Sequence, residues 1–219
     1  MDNETLSGAL AIAMLVLSLG IHEAAHAWVA YLCGDSTAKD LGRMTLNPVV
    51  HIDLFMTILL PLFLFISNAG FLFGGAKPVP VNPHRLRSPL RDMSLVAIAG
   101  PLSNVLLAFL FLSLWKVLVV TETYPPNSLM SEVLHSAFRF NVILAVFNMF
   151  PIPPLDGSRV MAYVLPASLR ESYVRLERFG MLLVIGFIIL LPTGKRLLFQ
   201  GANWLASILD TLTGWAERL

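Results

Sequence analysis

The densest run of chemistry-bearing residues in the chain is His22-Glu23-Ala24-Ala25-His26. Side chains at i and i+4 share one face of a helix, so two imidazoles at this spacing converge on a single metal ion. Zinc suits such a pair. It acidifies a water, and a carboxylate beside the first ligand is placed to take the proton, as peptide hydrolysis requires. The surrounding run, from about residue 5 to residue 32, is otherwise almost wholly apolar. Ionisable groups inside an apolar span are costly and mark function or pairing. Three of them within five positions favour zinc ligation over buried structural histidines.

A zinc site needs a third protein ligand. The histidine candidates are His51, His84 and His135, and the carboxylates near apolar segments are Asp53, Asp92 and Asp156. Asp156 stands out because an apolar segment runs directly into Asn148-Met149-Phe150-Pro151-Ile152-Pro153-Pro154-Leu155-Asp156-Gly157. A helix cannot continue through those prolines. Unwound backbone at membrane depth is tolerated only where protein buries it or water lines it. The competing reading of Asp156 is a helix-ending turn at the surface. His84 and His135 read as solvated. His51 reads equally as a residue supporting the site from behind or as part of a loop.

The elements that must position these groups are apolar throughout. Of 219 residues, 56% are hydrophobic and 13% charged, and mean hydropathy is +0.73, which is the composition of a membrane protein. A net charge of +1 gives no basis for nucleic-acid binding or for an acidic partner. The single cysteine, Cys33, excludes an intrachain disulfide framework and a cysteine-rich zinc module, and reads as a packing residue. The opening Met1-Asp2-Asn3-Glu4 carries two acidic and no basic side chains, so the first apolar run reads as mature structure and not as a secretion signal.

Five long apolar segments lie at about 5–32, 54–73, 93–120, 133–150 and 179–191. A sixth stretch at 197–215 is either a further span or an interfacial helix. Between the second and third segments, Pro78-Val79-Pro80-Val81 lies in a stretch that suits an extended edge strand. The expectation is an all-α polytopic membrane protein. It would have four to six transmembrane helices, a re-entrant segment and a short membrane-associated β-hairpin. All 219 residues form one domain, with a catalytic core at about 5–160 and additional membrane helices at 178–219. Asn141, Ser103 and Asn104 read as polar groups that hold helices together.

Topology imposes a parity demand. His22 and His26 lie near the C-terminal end of the first segment, and Asp156 lies just past the C-terminal end of the fourth. These segments must run parallel for the three groups to meet, so one of the two intervening segments should not cross. The second, with Pro61 and Ser67-Asn68-Ala69-Gly70, is the better re-entrant candidate. Residues 33–92 and 157–178 then share a side and carry six and four Lys/Arg, while 119–135 carries none. The positive-inside rule turns the catalytic face towards the cytoplasm and the N-terminus outward.

Taken together, the H-E-A-A-H run, Ala99-Gly100-Pro101 and Asn148 through Gly157 resemble the site-2 protease family of intramembrane zinc metalloproteases, in its small form without PDZ or CBS domains. Thr45-Leu46-Asn47-Pro48 with His51-Ile52-Asp53, and Ala76-Lys77-Pro78-Val79-Pro80-Val81-Asn82, extend the resemblance. It implies one Zn2+ per chain held by His22, His26 and Asp156, with Glu23 as base. Asn148 would line the active site, polarising the scissile carbonyl or holding the substrate strand. The implied substrate is a membrane protein whose transmembrane helix can unwind, cleaved within a lipid bilayer, and a bacterial-type cell membrane is the expected location. Lys77, Val79 and Val81 are candidate substrate-binding residues, on the reasoning that an exposed edge receives an unwound strand. An intramembrane metal-ion transporter with the same ligands is the alternative, but it would repeat ligands along a path or carry inverted repeats, and the sequence has neither.

Overall fold

A computed structural model describes residues 3–59, 62–63, 66–67, 74–187 and 191–218. Helix α1 spans Asn3–Leu32. It contains no proline and ends where Gly34 adopts a φ of 110°, a left-handed conformation that glycine takes without a Cβ penalty. A short helix α2, Thr37–Asp40, follows. Helix α3, Pro89–Val120, starts with proline in its first turn, where a missing N–H costs nothing. The Asp92 carboxylate reaches back to accept the Ser88 N–H at 2.7 Å. Helix α4, Leu129–Asn148, is capped by the Ser128 hydroxyl, which accepts the Ser131 N–H. Beyond the proline-rich turn lie α5 (Asp156–Val164), α6 (Ala167–Val174), α7 (Gly180–Ile185) and α8 (Pro192–Leu212).

Three described helices, α1, α3 and α4, are long and apolar enough to cross a membrane. Four to six such spans were expected, and neither α7 nor α8 meets both criteria. Of the second apolar segment, residues 54–59 form one wide helical turn. Residues 60, 61, 64, 65 and 68–73, where the re-entrant expectation chiefly falls, lie outside the described residues.

Small residues set how closely the spans approach. Ala24, Ala27 and Ala30 of α1 are buried, and Ala108 of α3 and Ala137 of α4 are wholly so. Such positions let backbones come together where lipid supplies no hydrophobic drive between helices. Leu15 and Leu19 of α1 pack with Leu144 of α4. Ala108 and Leu112 of α3 pack with Phe138 and Val142 of α4 and with Ala202 and Leu209 of α8. Lys116, buried in α3, is tied to Asp210 of α8 at 2.8 Å. Leu95, Ile98, Leu102, Leu106 and Leu110 form an exposed stripe on α3 at helical spacing, suited to lipid.

The expected β-hairpin is not formed: the described residues contain no strand. The 74–82 stretch is extended, but several of its main-chain donors are committed elsewhere. The Gly75 N–H goes to the Met56 carbonyl, Lys77 to His51 and Asn82 to the Asp35 carboxylate. Pro78 and Pro80 have no N–H to offer. The period-two pattern of valine and proline therefore describes a strap fastened at alternate residues, with no ladder.

Candidate metal centre

His22 and His26 project from one face of α1, and both are buried. Asp156 begins α5 directly after the proline-rich turn that ends α4. Its Oδ2 lies 3.2 Å from His22 Nε2 and 3.4 Å from His26 Nε2, and the two Nε2 atoms are 3.0 Å apart. The turn can fold back so tightly because residue 157 is glycine, where a Cβ would collide with the main chain of Met149 and Phe150.

The protonation of both rings follows from their partners. His26 Nδ1 lies 2.7 Å from the Val96 carbonyl, which only accepts, so the neutral ring carries its proton on Nδ1 and leaves the Nε2 lone pair for a metal. His22 Nδ1 lies 2.6 Å from Asn104 Oδ1. Asn104 Nδ2 donates to Asn141 Oδ1 at 2.9 Å, and Asn141 Nδ2 donates to the Ala137 carbonyl and to Ser18 Oγ, each at 2.8 Å. The Ala137 carbonyl fixes the Asn141 amide, which fixes Asn104, which in turn places the His22 proton on Nδ1. Two bare Nε2 lone pairs and a buried carboxylate oxygen with no hydrogen-bond partner thus face one another. Without a cation this arrangement is repulsive. The donor set is that of a divalent metal bound by two imidazoles and a carboxylate.

The opposite wall is as specific. A Cβ on Gly100 of α3 would stand 2.5 Å from His22 Cε1, His26 Cε1 and His26 Nε2, so only glycine leaves room for the paired rings. The next residue, Pro101, lacks the N–H that would otherwise bond the Ala97 carbonyl and so loosens α3 beside the Val96 carbonyl that receives His26.

Glu23 lines the same cavity as the two histidines, and its Oε2 accepts the Val79 N–H of the strap at 2.8 Å. One ring nitrogen each of His22 and His26 and one carboxylate oxygen of Glu23 all lie within 4.8 Å of one another. A cavity of about 400 Å³ opens on this centre and is lined by Glu23, Val79, Val81, Asn148, Asp156 and Arg159, among others. Family models then decide the class: the description "Peptidase family M50" matches residues 10–124 and 116–192.

The chain belongs to peptidase family M50. It is thus a zinc metalloprotease of the site-2 protease type, built on membrane-spanning helices. It is 37% identical over 195 residues to the Bacillus subtilis protein named "Putative zinc metalloprotease YwhC", covering 86% of this chain and 84% of the relative. Two proteins named in the same way as Rip2 are 29% identical in Mycolicibacterium smegmatis and 28% identical in Mycobacterium tuberculosis. They cover 89% and 96% of this chain, and 72% and 76% of their own lengths. No solved structure matches the chain.

In this M50 peptidase the remaining candidate ligands are engaged elsewhere. Asp53 accepts the N–H groups of Phe55 and Met56, and Asp92 is bound by Ser88 and Arg91. His84 and His135 are exposed. His51 is buried but directs Nε2 to the Thr45 carbonyl at 3.0 Å, so it supports the loop next to the strap and touches neither ring. Asn148 reaches the cavity while its Nδ2 donates to the Leu144 carbonyl at 3.1 Å. Val79 and Val81 line the cavity, whereas the Lys77 side chain is exposed outside it.

Asn104 and Asn141, read from sequence as helix-holding groups, also reach the His22 ring. The available signal was an uncharged amide inside each of two long apolar segments. Asp35, past the end of α1, is the second carboxylate on the strap. Burial pushes its carboxyl up, but the Thr37 hydroxyl, the Asn82 and Thr37 N–H groups and the Arg85 charge outweigh this, so it lies below the ordinary value.

Proposed function

We propose that this M50 peptidase hydrolyses a peptide bond in or near the transmembrane segment of another membrane protein. In this reading His22, His26 and Asp156 hold one zinc ion and Glu23 is the general base. The observation that carries it is the convergence of two bare imidazole nitrogens and an orphaned buried carboxylate oxygen beside Glu23. When bound there, zinc acidifies water and polarises a carbonyl. Glu23 accepts the proton and passes it to the leaving amine, and the Val79 N–H holds the carboxylate in place meanwhile. Asn148 offers the scissile carbonyl its second amide proton.

A helix hides its peptide bonds, so the substrate must unwind to enter the cavity. The strap at 76–82 supports the reading that the unwound stretch lies along it, with Val79 and Val81 beneath and Lys77 at the rim. The strap donors at 75, 77, 79 and 82 are already engaged, so the substrate strand would be held chiefly through its own N–H groups on strap carbonyls. If charged or proline substitutions across 77–82 leave cleavage unchanged, this placement fails.

The whole chain reads as one intramembrane protease domain, with the helices of 178–219 as additions to the core. The catalytic face is directed to the cytoplasm of a bacterial-type cell membrane. Cysteine labelling of loops 34–50 and 160–175 tests this, since opposite accessibility would refute it. The transporter reading gains nothing: among the described residues only one His/Asp/Glu cluster has metal-binding spacing.

The deciding experiment compares membrane proteomes of wild-type and Glu23→Gln cells. Single-span proteins should accumulate in the variant while its zinc content stays unchanged. A variant that still cleaves refutes the base, and one without zinc refutes the ligand assignment.

A further inference from the structure

We infer that Asn141, which touches neither the metal centre nor the cavity, is a positioning residue that sets the zinc affinity of His22 through Asn104. The inference rests on the reading of His22 as a zinc ligand. The hydrogen bonds leave α1 at His22, cross α3 at Asn104 and α4 at Asn141, and return to α1 at Ser18, one helical turn before they started. Ser18 closes the circuit by donating to the Met14 carbonyl at 2.8 Å. Both asparagines are wholly buried, so no water competes for their amides.

An asparagine amide has two ends of nearly the same shape and opposite hydrogen-bonding character. Asn104 presents Oδ1 to His22 only because its Nδ2 is held by Asn141 Oδ1. With an apolar residue at 141, nothing distinguishes the two orientations, and rotation brings Nδ2 to face His22 Nδ1. The ring then has to carry its proton on Nε2, and a protonated Nε2 cannot bind zinc. The other histidine is immune, because its Nδ1 partner is a main-chain carbonyl that cannot turn over. The circuit therefore gives one of the two imidazoles a tautomer that depends on how three spanning helices are packed.

The test is zinc affinity, measured by chelator competition on the full-length chain purified in detergent, together with the thermal unfolding of the metal-free protein. Asn141→Leu should bind zinc about 10- to 100-fold more weakly, the range typical of lost support behind a ligand. Asn141→Asp keeps an acceptor for Asn104 Nδ2 and should restore affinity to near wild type. Metal-free stability should run the other way, because leucine is the easier residue to bury. A purely structural role predicts that affinity and stability fall together, so that result overturns the inference, as does wild-type affinity in Asn141→Leu. If Asn141→Leu does not fold, Asn104→Asp and Asn104→Ala replace the pair, with the aspartate expected to bind tightly and the alanine weakly. The reverse order overturns the inference. His22→Ala is measured alongside: wild-type affinity there would instead refute the ligand reading itself.

Discussion

Glu23 and Val79 are joined by a single hydrogen bond from the strap's main chain to the carboxylate, at 2.8 Å. The group read as the base is therefore held by the same segment that walls the cavity. Any movement of the strap reaches Glu23 through this bond, whereas the proposed metal ligands hang from α1 and the start of α5.

Val79→Pro removes that N–H and leaves the ligands alone. Hydrogen bonds to charged groups contribute about 1.5–3 kcal/mol. Turnover of a model substrate should thus fall about 10- to 100-fold with zinc content unchanged. Val79→Ala, which keeps the donor, should stay close to wild type. Equal losses in both variants would show that the valine side chain matters and the N–H does not.

Gly100→Ala separates the metal site from helix stability. An alanine inside a helix normally adds about 0.5–1 kcal/mol of stability over glycine. Here the new methyl group falls 2.5 Å from both imidazole rings and must push them apart. The metal-free protein should unfold no earlier than wild type, yet zinc should bind at least about tenfold more weakly, equivalent to ~1.4 kcal/mol. Unaltered zinc affinity in chelator competition would mean that the rings have room to move.

The centre came out of the sequence in pieces of unequal clarity. His22, Glu23 and His26 follow from helical spacing alone, because i and i+4 fix a face whatever surrounds it. Asp156 could be singled out only because prolines at 151, 153 and 154 halt α4 where a carboxylate follows. Asn104 and Asn141 were recognisable as buried polar groups. Their partner was not, since it depends on the rotation of α3 and α4 about their axes, which no local pattern encodes. The strap misled for a related reason: alternation at 78–81 matches a strand in period, but pairing depends on which N–H groups are still available, and these are fixed by distant residues such as Asp35 and Glu23.

Zinc removal should loosen the junction between α1 and α5. A ligand that binds only the folded chain stabilises it by mass action, by about 4 kcal/mol at a thousandfold excess over its dissociation constant. Adding zinc to the metal-free protein should raise the melting temperature of wild type and leave Asp156→Ala nearly unmoved. A similar rise in both would place the stabilising site elsewhere.

Asp35 predicts an acid-dependent step. Its folded-state pKa lies below the unfolded value of about 3.9, so its contribution is complete above that pH and is lost as pH falls through the lower, folded value. Wild type should therefore lose melting temperature more steeply than Asp35→Asn as pH drops from about 5 to about 3. Parallel slopes would show that the Thr37 and Asn82 contacts do not discriminate between the charged and neutral forms.

The order of the ligands along the chain bears on how the enzyme is made. Two imidazoles are inserted with the first span, but the carboxylate proposed to complete the set starts a helix after the third long span has been laid down. A nascent chain halted before residue 156 holds only two of the three protein ligands that zinc requires. On the proposed ligand set, proteolytic capacity arrives only after α1, α3 and α4 have been made. Ribosome-stalled chains of graded length should retain zinc only after residue 156 has emerged.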